Sequence, residues 1–181
     1  MKSDEPKHGD ILIGQTDYLK LVEQAGWSFV KRRNSSGVVC MVAVTDDDQL
    51  VLVEQHRPPV ANAVIELPAG LVGDLAHAAD ETLREAAERE LLEETGYAAS
   101  EWTLLVTAAS SAGLTDELIT FFLATGLEKK HAGGGDETED IRVHTVPMVE
   151  VDEWLDQALS DGKLLDAKIY AGIHFARSRK R

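Results

Sequence analysis

The sequence predicts an α/β fold in which a mixed β-sheet is flanked by helices. Short apolar segments rich in β-branched and aromatic residues recur along the chain, which is typical of strands. Three longer segments have the apolar spacing of amphipathic helices. The chain has 181 residues and 44% hydrophobic content, enough for one well-buried core. We therefore expect a single domain over residues 1–181.

The first 36 residues predict a small antiparallel strand region, with strands at 18–22 and 27–30. The remaining part, residues 37–181, is predicted to be the core of the domain. Strong strand candidates at 38–44 and 50–53 follow, and we expect them to form a hairpin. Three consecutive aspartates join them, and a turn is favoured over a metal site because side chains on a tight turn point in different directions.

A proline-containing segment is predicted to be a rigid loop. Pro58 and Pro59 exclude regular structure and fix the position of Arg57. A strand at 63–67 then leads into residues 68–70, Pro-Ala-Gly, where small side chains let a backbone carbonyl approach a ligand closely. The remaining predicted elements are, in order, a loop at 70–80, a helix at 81–95, strands at 102–109 and 118–124, a glycine-rich loop at 129–140, a strand at 141–146, and helices at 149–159 and 166–177.

The predicted helix at 81–95 carries a cluster of carboxylates. At about 100° per residue, Glu90, Glu93 and Glu94 fall in one sector of the helix. One to two turns earlier the same sector is an apolar stripe, so it faces a core. Crowded carboxylates on such a face are costly to desolvate unless a cation neutralises them. Oxygen ligands of this kind suit Mg²⁺ or Mn²⁺.

Arg89 lies four residues before Glu93 and four after Glu85. It can therefore hold one or both carboxylates in place for a metal. Gly96 is predicted to end the helix. The alternative, by residue pattern alone, is a Glu-rich surface helix with salt-bridge partners.

The run from Glu81 to Tyr97 resembles the signature of the Nudix hydrolase family. That signature reads Gly, five residues, Glu, seven residues, and then Arg-Glu-apolar-any-Glu-Glu-any-Gly-apolar, and this chain matches it from Glu81 onward. At the front, the expected glycine position is Leu75, whereas Gly70 has the family's Pro-Ala-Gly context. We interpret this departure as a five-residue expansion of the loop at 71–80. The resemblance implies the α/β/α sandwich that Nudix proteins share.

Other segments resemble the ADP-ribose pyrophosphatase branch of that family, which acts on nucleoside diphosphate sugars. They are residues 55–59, 66–70, 113–117 and 137–144. The resemblance implies Mg²⁺-dependent cleavage of a small nucleotide-sugar substrate into a nucleoside monophosphate and a sugar phosphate. Two alternatives stay open: hydrolysis of dinucleoside polyphosphates or nucleoside triphosphates, and a non-catalytic nucleotide-sugar sensor.

The resemblance also implies roles for individual residues. The backbone carbonyl of Ala69 with Glu90 and Glu94 would bind the metal, and Glu93 would be an additional ligand or bridge. Arg57 would contact the phosphates, whose oxygens a planar guanidinium matches. The predicted site also includes Arg89, among the catalytic residues, and Glu66 and Gly70, at the substrate.

In this branch the catalytic base lies on a mobile loop late in the chain. The matching run is residues 136–140, Asp-Glu-Thr-Glu-Asp. We favour Glu137 as the base, with Glu139 as the second candidate. A loop with three glycines could bring such a carboxylate to the substrate. A solvated acidic loop is the alternative.

An aromatic residue near the N-terminus stacks on the nucleobase in this branch, often across a dimer that exchanges N-terminal strands. Trp27 is the candidate, with Phe29 near it. The resemblance therefore implies a homodimer formed through the N-terminal strand region. A tryptophan that only packs in a dimer core is the alternative.

Charge and hydropathy exclude other classes of partner. The formal net charge of −14 disfavours nucleic acids, because their binding depends on neutralising phosphates. No run approaches the roughly 20 apolar residues that span a bilayer, and the first ten residues contain no apolar signal core. We expect a cytoplasmic protein that does not associate with membranes. Cys40, the only cysteine, is predicted to be a buried strand residue.

Overall fold

A computed structural model describes residues 9–74, 80–135 and 140–178. The strands are β1 (Ile11–Gln15), β2 (Leu19–Gln24), β3 (Trp27–Arg32), β4 (Gly37–Ala43), β5 (Gln49–Arg57), β6 (Asn62–Glu66), β7 (Ala69–Val72), β8 (Tyr97–Ala109), β9 (Leu118–Lys129), β10 (Arg142–Pro147) and β11 (Leu164–Leu165). The helices are α1 (Leu83–Thr95), α2 (Val151–Ser160) and α3 (Lys168–Ser178). Within these ranges, no helix is long and apolar enough to cross a bilayer.

The two larger sheets are both mixed, which confirms the predicted fold class. One has the order β7-β4-β9-β8, and β4 runs parallel to β9. The other has the order β10-β5-β6-β11, and β11 runs parallel to β6. The separate sheet β1-β2-β3 is antiparallel, as predicted for the N-terminal region. An isolated β-bridge, a backbone pairing between Val30 and Thr115, links this sheet to the segment before β9.

The predicted hairpin of two strands around residues 46–48 is wrong. The turn is present, but β4 and β5 lie in different sheets and one bridge, Val44 to Leu50, joins them. β5 also continues through residues 54–57, which were predicted to be loop, and a 3₁₀ turn at Pro58–Val60 carries the chain into its partner β6. The prolines lie just beyond the end of β5, where they cost no ladder hydrogen bond.

β4 lies between two apolar cores, because successive side chains of a strand point to opposite faces. A strand covered on both faces is apolar throughout, as β4 is. Cys40 is fully buried there, as predicted. The first core contains Val38, Cys40 and Val42 with apolar residues of α2 and α3, and the second contains Val39, Met41 and Ala43 with Ala86, Ala87 and Leu91 of α1.

Helix α1 begins and ends at local signals in the sequence. The Thr82 hydroxyl accepts a hydrogen bond from the Glu85 N–H at 3.2 Å, and the Glu85 carboxylate accepts one from the Thr82 N–H at 2.7 Å. This capping box starts the helix. Gly96, with φ +71°, ends it and donates to the Leu92 carbonyl at 2.8 Å, as predicted. The buried Leu91 fixes the rotation of α1, so that the acidic end of the helix faces β7.

Candidate active site

Arg89 of α1 is the centre of an acidic cluster. Its guanidinium donates to Glu81 from Nε at 3.2 Å and from Nη2 at 2.9 Å. Nη1 donates to Glu90 at 2.9 Å and lies 3.6 Å from a Glu93 oxygen, the ion pair that the helical spacing predicts. Nη2 also reaches the Leu71 carbonyl at 3.0 Å. The Arg89 side chain therefore connects three carboxylates, those of Glu81, Glu90 and Glu93, to each other and to the backbone of β7.

The sequence spacing also predicted an ion pair between Arg89 and Glu85, and this prediction is wrong. The Glu85 carboxylate closes the capping box with Thr82 instead. Arg89 also contacts Asp74 at 3.4 Å, a residue that follows β7 within the predicted loop at 71–80. Its hydrogen bonds to Glu81 are the main cause of a raised pKa for the Arg89 guanidinium. The guanidinium is therefore a permanent positive charge within the cluster.

Glu90 is a mostly buried carboxyl group whose side chain is 13% exposed. Burial raises the pKa of Glu90 to about 7, although the adjacent Arg89 acts in the opposite direction. Gly70 provides the space that Glu90 occupies, because a Cβ atom on Gly70 would overlap the Glu90 carboxyl group. A divalent cation beside this carboxyl would favour its charged form.

Glu94 joins α1 to the start of β7. The residue is buried, and its carboxylate accepts a hydrogen bond from the Ala69 N–H at 3.1 Å. Ala69 and Glu94, both predicted to bind metal, are therefore direct neighbours. The small Ala69 side chain, and the absence of a side chain at Gly70, let the strand pass this close to the helix.

Arg57 and Glu66 form a bidentate ion pair across the β5–β6 connection. Arg57 Nε and Nη2 donate to the two Glu66 oxygens at 2.5 and 2.8 Å. Glu66 is buried, whereas the Arg57 side chain is 42% exposed. A fork-to-fork pair of this kind fixes the plane of the guanidinium. Glu66 therefore orients Arg57 toward the space in front of α1.

One cavity of about 350 Å³ brings together eight of the twelve predicted site residues. Within residues 9–74, 80–135 and 140–178, no three His, Cys, Asp or Glu side chains are arranged to hold a metal ion. The Glu90 and Glu94 carboxylates are directed instead to Arg89 and to the Ala69 N–H. The eight predicted residues in this cavity are Arg57, Glu66, Ala69, Gly70, Arg89, Glu90, Glu93 and Glu94.

The charges around this cavity fit a divalent cation. Six carboxylates and four cationic side chains line it, which leaves a formal excess of two negative charges. The acidic groups are carboxylates, the hard oxygen ligands that Mg²⁺ and Mn²⁺ prefer. The lining carboxylates are those of Glu66, Asp74, Glu90, Glu93, Glu94 and Glu117, and the cations are Arg32, Arg57, Arg89 and Lys168.

Two cationic side chains that line this cavity, Arg32 and Lys168, were not predicted from the sequence to lie at the site. Arg32 belongs to a basic run that favours a solvated surface, but it lines the cavity and pairs with Glu117. Lys168 begins α3, and no local motif marks it. It reaches the site because β11 pairs with β6, after which the Asp166 N–H donates to the Ile65 carbonyl at 2.9 Å. This long-range pairing has no signal in the local sequence.

A larger cavity of about 940 Å³ adjoins the acidic one. The two share Arg32, Arg57, Glu66, Ile119 and Lys168 in their walls. The rest of the larger wall is mainly apolar and comes from the 3₁₀ turn after β5, from β6, β8, β9 and β11, and from α3 with the residues just before it. A charged cavity opening into an apolar one can accept a ligand with an anionic group and a bulky organic part.

Trp27 and Phe29 do not line either of these cavities. They line a separate one of about 420 Å³ on the N-terminal sheet, and Trp27 is 67% exposed. Within one copy of the chain, the described residues therefore do not bring the predicted stacking aromatics to the acidic cavity. The two base candidates, Glu137 and Glu139, lie outside the described residues.

These observations define an α/β protein in which an acidic helix and several cationic side chains share one cavity. The family model described as the NUDIX domain matches residues 35–167. The chain therefore belongs to the NUDIX family, as the resemblance of residues 81–97 predicted.

Two relatives illustrate the similarity. The methanol dehydrogenase activator of Bacillus methanolicus is 34% identical over 146 residues, which cover 80% of this chain and 76% of the relative. The ADP-ribose pyrophosphatase of Bacillus subtilis (strain 168) is 35% identical over 116 residues, which cover 62% of this chain and 58% of the relative. The chain thus spans less than two thirds of the second relative's length.

A solved structure has the same fold. It is described as the crystal structure of an ADP compounds hydrolase, and it superposes with a TM-score of 0.61 over 81% of each chain. Its sequence is 22% identical to this one. At 22% identity, this similarity shows a shared fold and nothing more specific.

Because Arg89 contacts both Asp74 and Glu81, we expect the five extra residues of the loop between them to be dispensable for folding. Deleting residues 75–79 restores five residues between Gly70 and Glu81, while Arg89 still contacts Asp74 and Glu81 on either side. Because a shorter loop costs less closure entropy, the midpoint of thermal unfolding should stay within about 3 °C of wild type. Calorimetry or circular dichroism would measure it.

A deletion of equal length over residues 71–75 is the matched control. It removes the buried Val72 and the Leu71 carbonyl that Arg89 binds. We expect that control to unfold at a clearly lower temperature. Equal destabilisation by both deletions would contradict the interpretation of residues 71–80 as an expanded loop.

Proposed function

We propose that the protein is a Mg²⁺-dependent pyrophosphohydrolase of nucleoside diphosphate sugars such as ADP-ribose. Mn²⁺ would be a possible substitute. The observation that carries the proposal is a cavity lined by three α1 glutamates and by Arg57, with a larger, mainly apolar cavity adjoining it. Membership of the NUDIX family and the similarity to an ADP-ribose pyrophosphatase support the same class of reaction.

The reaction adds water to one phosphorus of the pyrophosphate and breaks the bridging P–O bond. A nucleoside monophosphate and a sugar phosphate result. A phosphoanhydride has a good leaving group, so the site must mainly neutralise charge and orient the water. Bound cations supply charge neutralisation and lower the pKa of water.

The residues of this chain fit that requirement. Glu90, Glu94 and the Ala69 carbonyl would hold the cation, with Glu93 as an additional ligand. Binding would require the Glu90 carboxylate to exchange its present partner, Arg89, for the cation. Arg89 keeps Glu81 and the Leu71 carbonyl as partners, so the guanidinium would stay in place.

Arg57 would bind the substrate's phosphates, with its plane set by Glu66. Arg32 and Lys168 line the boundary between the two cavities, where they would add positive charge near the same phosphates. The organic part of the substrate would occupy the apolar cavity. This division matches a nucleotide sugar, which joins a dianionic pyrophosphate to bulky groups.

The N-terminal sheet would form a homodimer interface. Several of its apolar side chains are exposed, among them Ile11, Leu12 and Ile13, each more than half exposed. A dimer would bury them and could bring Trp27 to the cavity of the partner subunit. Sedimentation at the mass of one chain would contradict it. The cytoplasmic location stays a prediction from the sequence.

A substrate panel tests the proposed function. With Mg²⁺, the protein should convert ADP-ribose into AMP and ribose 5-phosphate, and Glu94→Gln should lower the rate by about a hundredfold or more because a metal ligand is lost. Glu88→Gln is the matched control, since Glu88 lies on the solvent side of α1 and pairs with Arg84. Product analysis should also include GDP-mannose, UDP-glucose, a dinucleoside polyphosphate and nucleoside triphosphates.

Each outcome of the panel discriminates between functions. Cleavage of only dinucleoside polyphosphates or triphosphates would favour the second enzyme hypothesis. Binding of ADP-ribose without turnover of any compound would favour a sensor that controls a partner, a role that the name of the Bacillus methanolicus relative makes worth testing.

The base candidates make a separate prediction. We expect either Glu137→Gln or Glu139→Gln to lower turnover by about 10²- to 10⁴-fold, with little effect on substrate KM, because a general base acts in the chemical step. Glu128→Gln is the control, since this exposed carboxylate pairs with Lys130. Rates close to wild type in both variants would remove the loop from the mechanism.

A further inference from the structure

The C-terminal end of α1 is closed by the segment of residues 129–135. A helix leaves its last four carbonyls without helical donors. Here Gly135 N–H donates to Glu93 at 3.2 Å, and Gly134 N–H donates to Glu94 at 2.9 Å. Lys129 Nζ donates to the Thr95 carbonyl at 2.7 Å. Three of the four terminal carbonyls thus take their donors from this one segment.

The fourth terminal carbonyl and the residue after the helix complete the contact. Leu92 accepts from the Gly96 N–H, and the Gly96 carbonyl accepts from the Lys130 N–H, both at 2.8 Å. The far end of the segment is tied as well, because the Ile141 N–H donates to the Gly134 carbonyl at 3.2 Å. The segment is therefore bonded to α1 along its length.

This contact requires glycine at one position for steric reasons. A Cβ atom on Gly133 would lie 2.5 Å from the Thr95 carbonyl carbon and 2.6 Å from the Glu94 oxygen. Both atoms are backbone, so the helix end or the segment would have to move. Gly133 also has φ +77°, which side chains rarely adopt.

Two of these carbonyls belong to Glu93 and Glu94, whose side chains line the acidic cavity. Both glutamates lie in the last turn of α1, and the last turn is the part of a helix that frays most easily when it has no cap. Their side chains can occupy one defined position only if this turn is fixed. Lys129 adds a positive charge at the negative end of the helix dipole, and its ammonium lies 4.3 Å from the Tyr97 ring centre.

We propose that Lys129 and residues 133–135 are a positioning element for the cation-binding carboxylates of α1. The inference rests on the proposed function insofar as Glu93 and Glu94 bind a divalent cation. The segment touches no substrate in this scheme. It acts through the backbone of the two glutamates, so a defect should appear first in the affinity for the cation.

The test measures Mn²⁺ binding to the full chain by electron paramagnetic resonance, without nucleotide. Gly133→Ala should raise the Mn²⁺ dissociation constant by about tenfold or more. Gly162→Ala is the matched control, because Gly162 has a similar φ of +83° but nothing within 4 Å of an added Cβ. Equal Mn²⁺ affinities in these two variants would overturn the inference.

A second pair of variants avoids the folding problem that Gly133→Ala could cause. Lys129→Met removes the donor to Thr95, and Lys130→Met removes the neighbouring charge, whose ammonium pairs with Glu128. Loss of a positive charge alone would strengthen the binding of a cation. Weaker Mn²⁺ binding in Lys129→Met, by about threefold or more, with no weakening in Lys130→Met, would therefore support positioning.

The outcomes separate this inference from the proposed function. Unchanged or tighter Mn²⁺ binding in Lys129→Met would overturn the positioning role even if the wild-type protein hydrolyses ADP-ribose. Weakened binding in both Lys129→Met and Gly133→Ala would support it even if no nucleotide sugar is cleaved. A wild-type protein that binds no Mn²⁺ would overturn both proposals.

Discussion

The crowding of carboxylates at one end of α1 is the constraint on which the rest of the site depends. Like charges brought together on a half-buried face destabilise the fold unless cations compensate them. Arg89 supplies the first compensation through Glu81, Glu90 and Glu93. An excess of negative charge remains around the cavity, and the pKa of Glu90 is raised. A bound divalent cation would neutralise this excess and would lower the pKa of Glu90.

The fold places this charged region through ordinary packing. The first turns of α1 are anchored by a capping box and by small buried residues, so the helix lies close to β4 and β7. Ala69 and Gly70 then bring a strand against the acidic turn, where a Cβ atom on Gly70 would collide with Glu90. Arg57, at the end of β5, lines the same cavity and is held by a bidentate pair with Glu66 of β6. The scaffold thus brings carboxylates and cationic side chains from several elements to one cavity.

The helical periodicity of the sequence predicted the acidic site. The features that the sequence did not predict depend on pairing between distant segments of the chain. Glu90, Glu93 and Glu94 share a cavity because helical spacing alone puts them on one face. The hairpin of β4 and β5 was wrong, since the choice of strand partners depends on the whole sheet. Arg32 and Lys168 reach the cavity from distant parts of the chain, through Glu117 and through β11. No local pattern of charge carries that information.

The central claim is that the acidic end of α1 binds a divalent cation beside the substrate's pyrophosphate. Anomalous diffraction from crystals soaked with Mn²⁺ and a non-hydrolysable ADP-ribose analogue tests it most directly. The account predicts a peak within about 2.5 Å of oxygens of Glu90 and Glu94 and of the analogue's phosphates. Peaks found only elsewhere, with Glu90 still on Arg89 and Glu94 still on the Ala69 N–H, would contradict it.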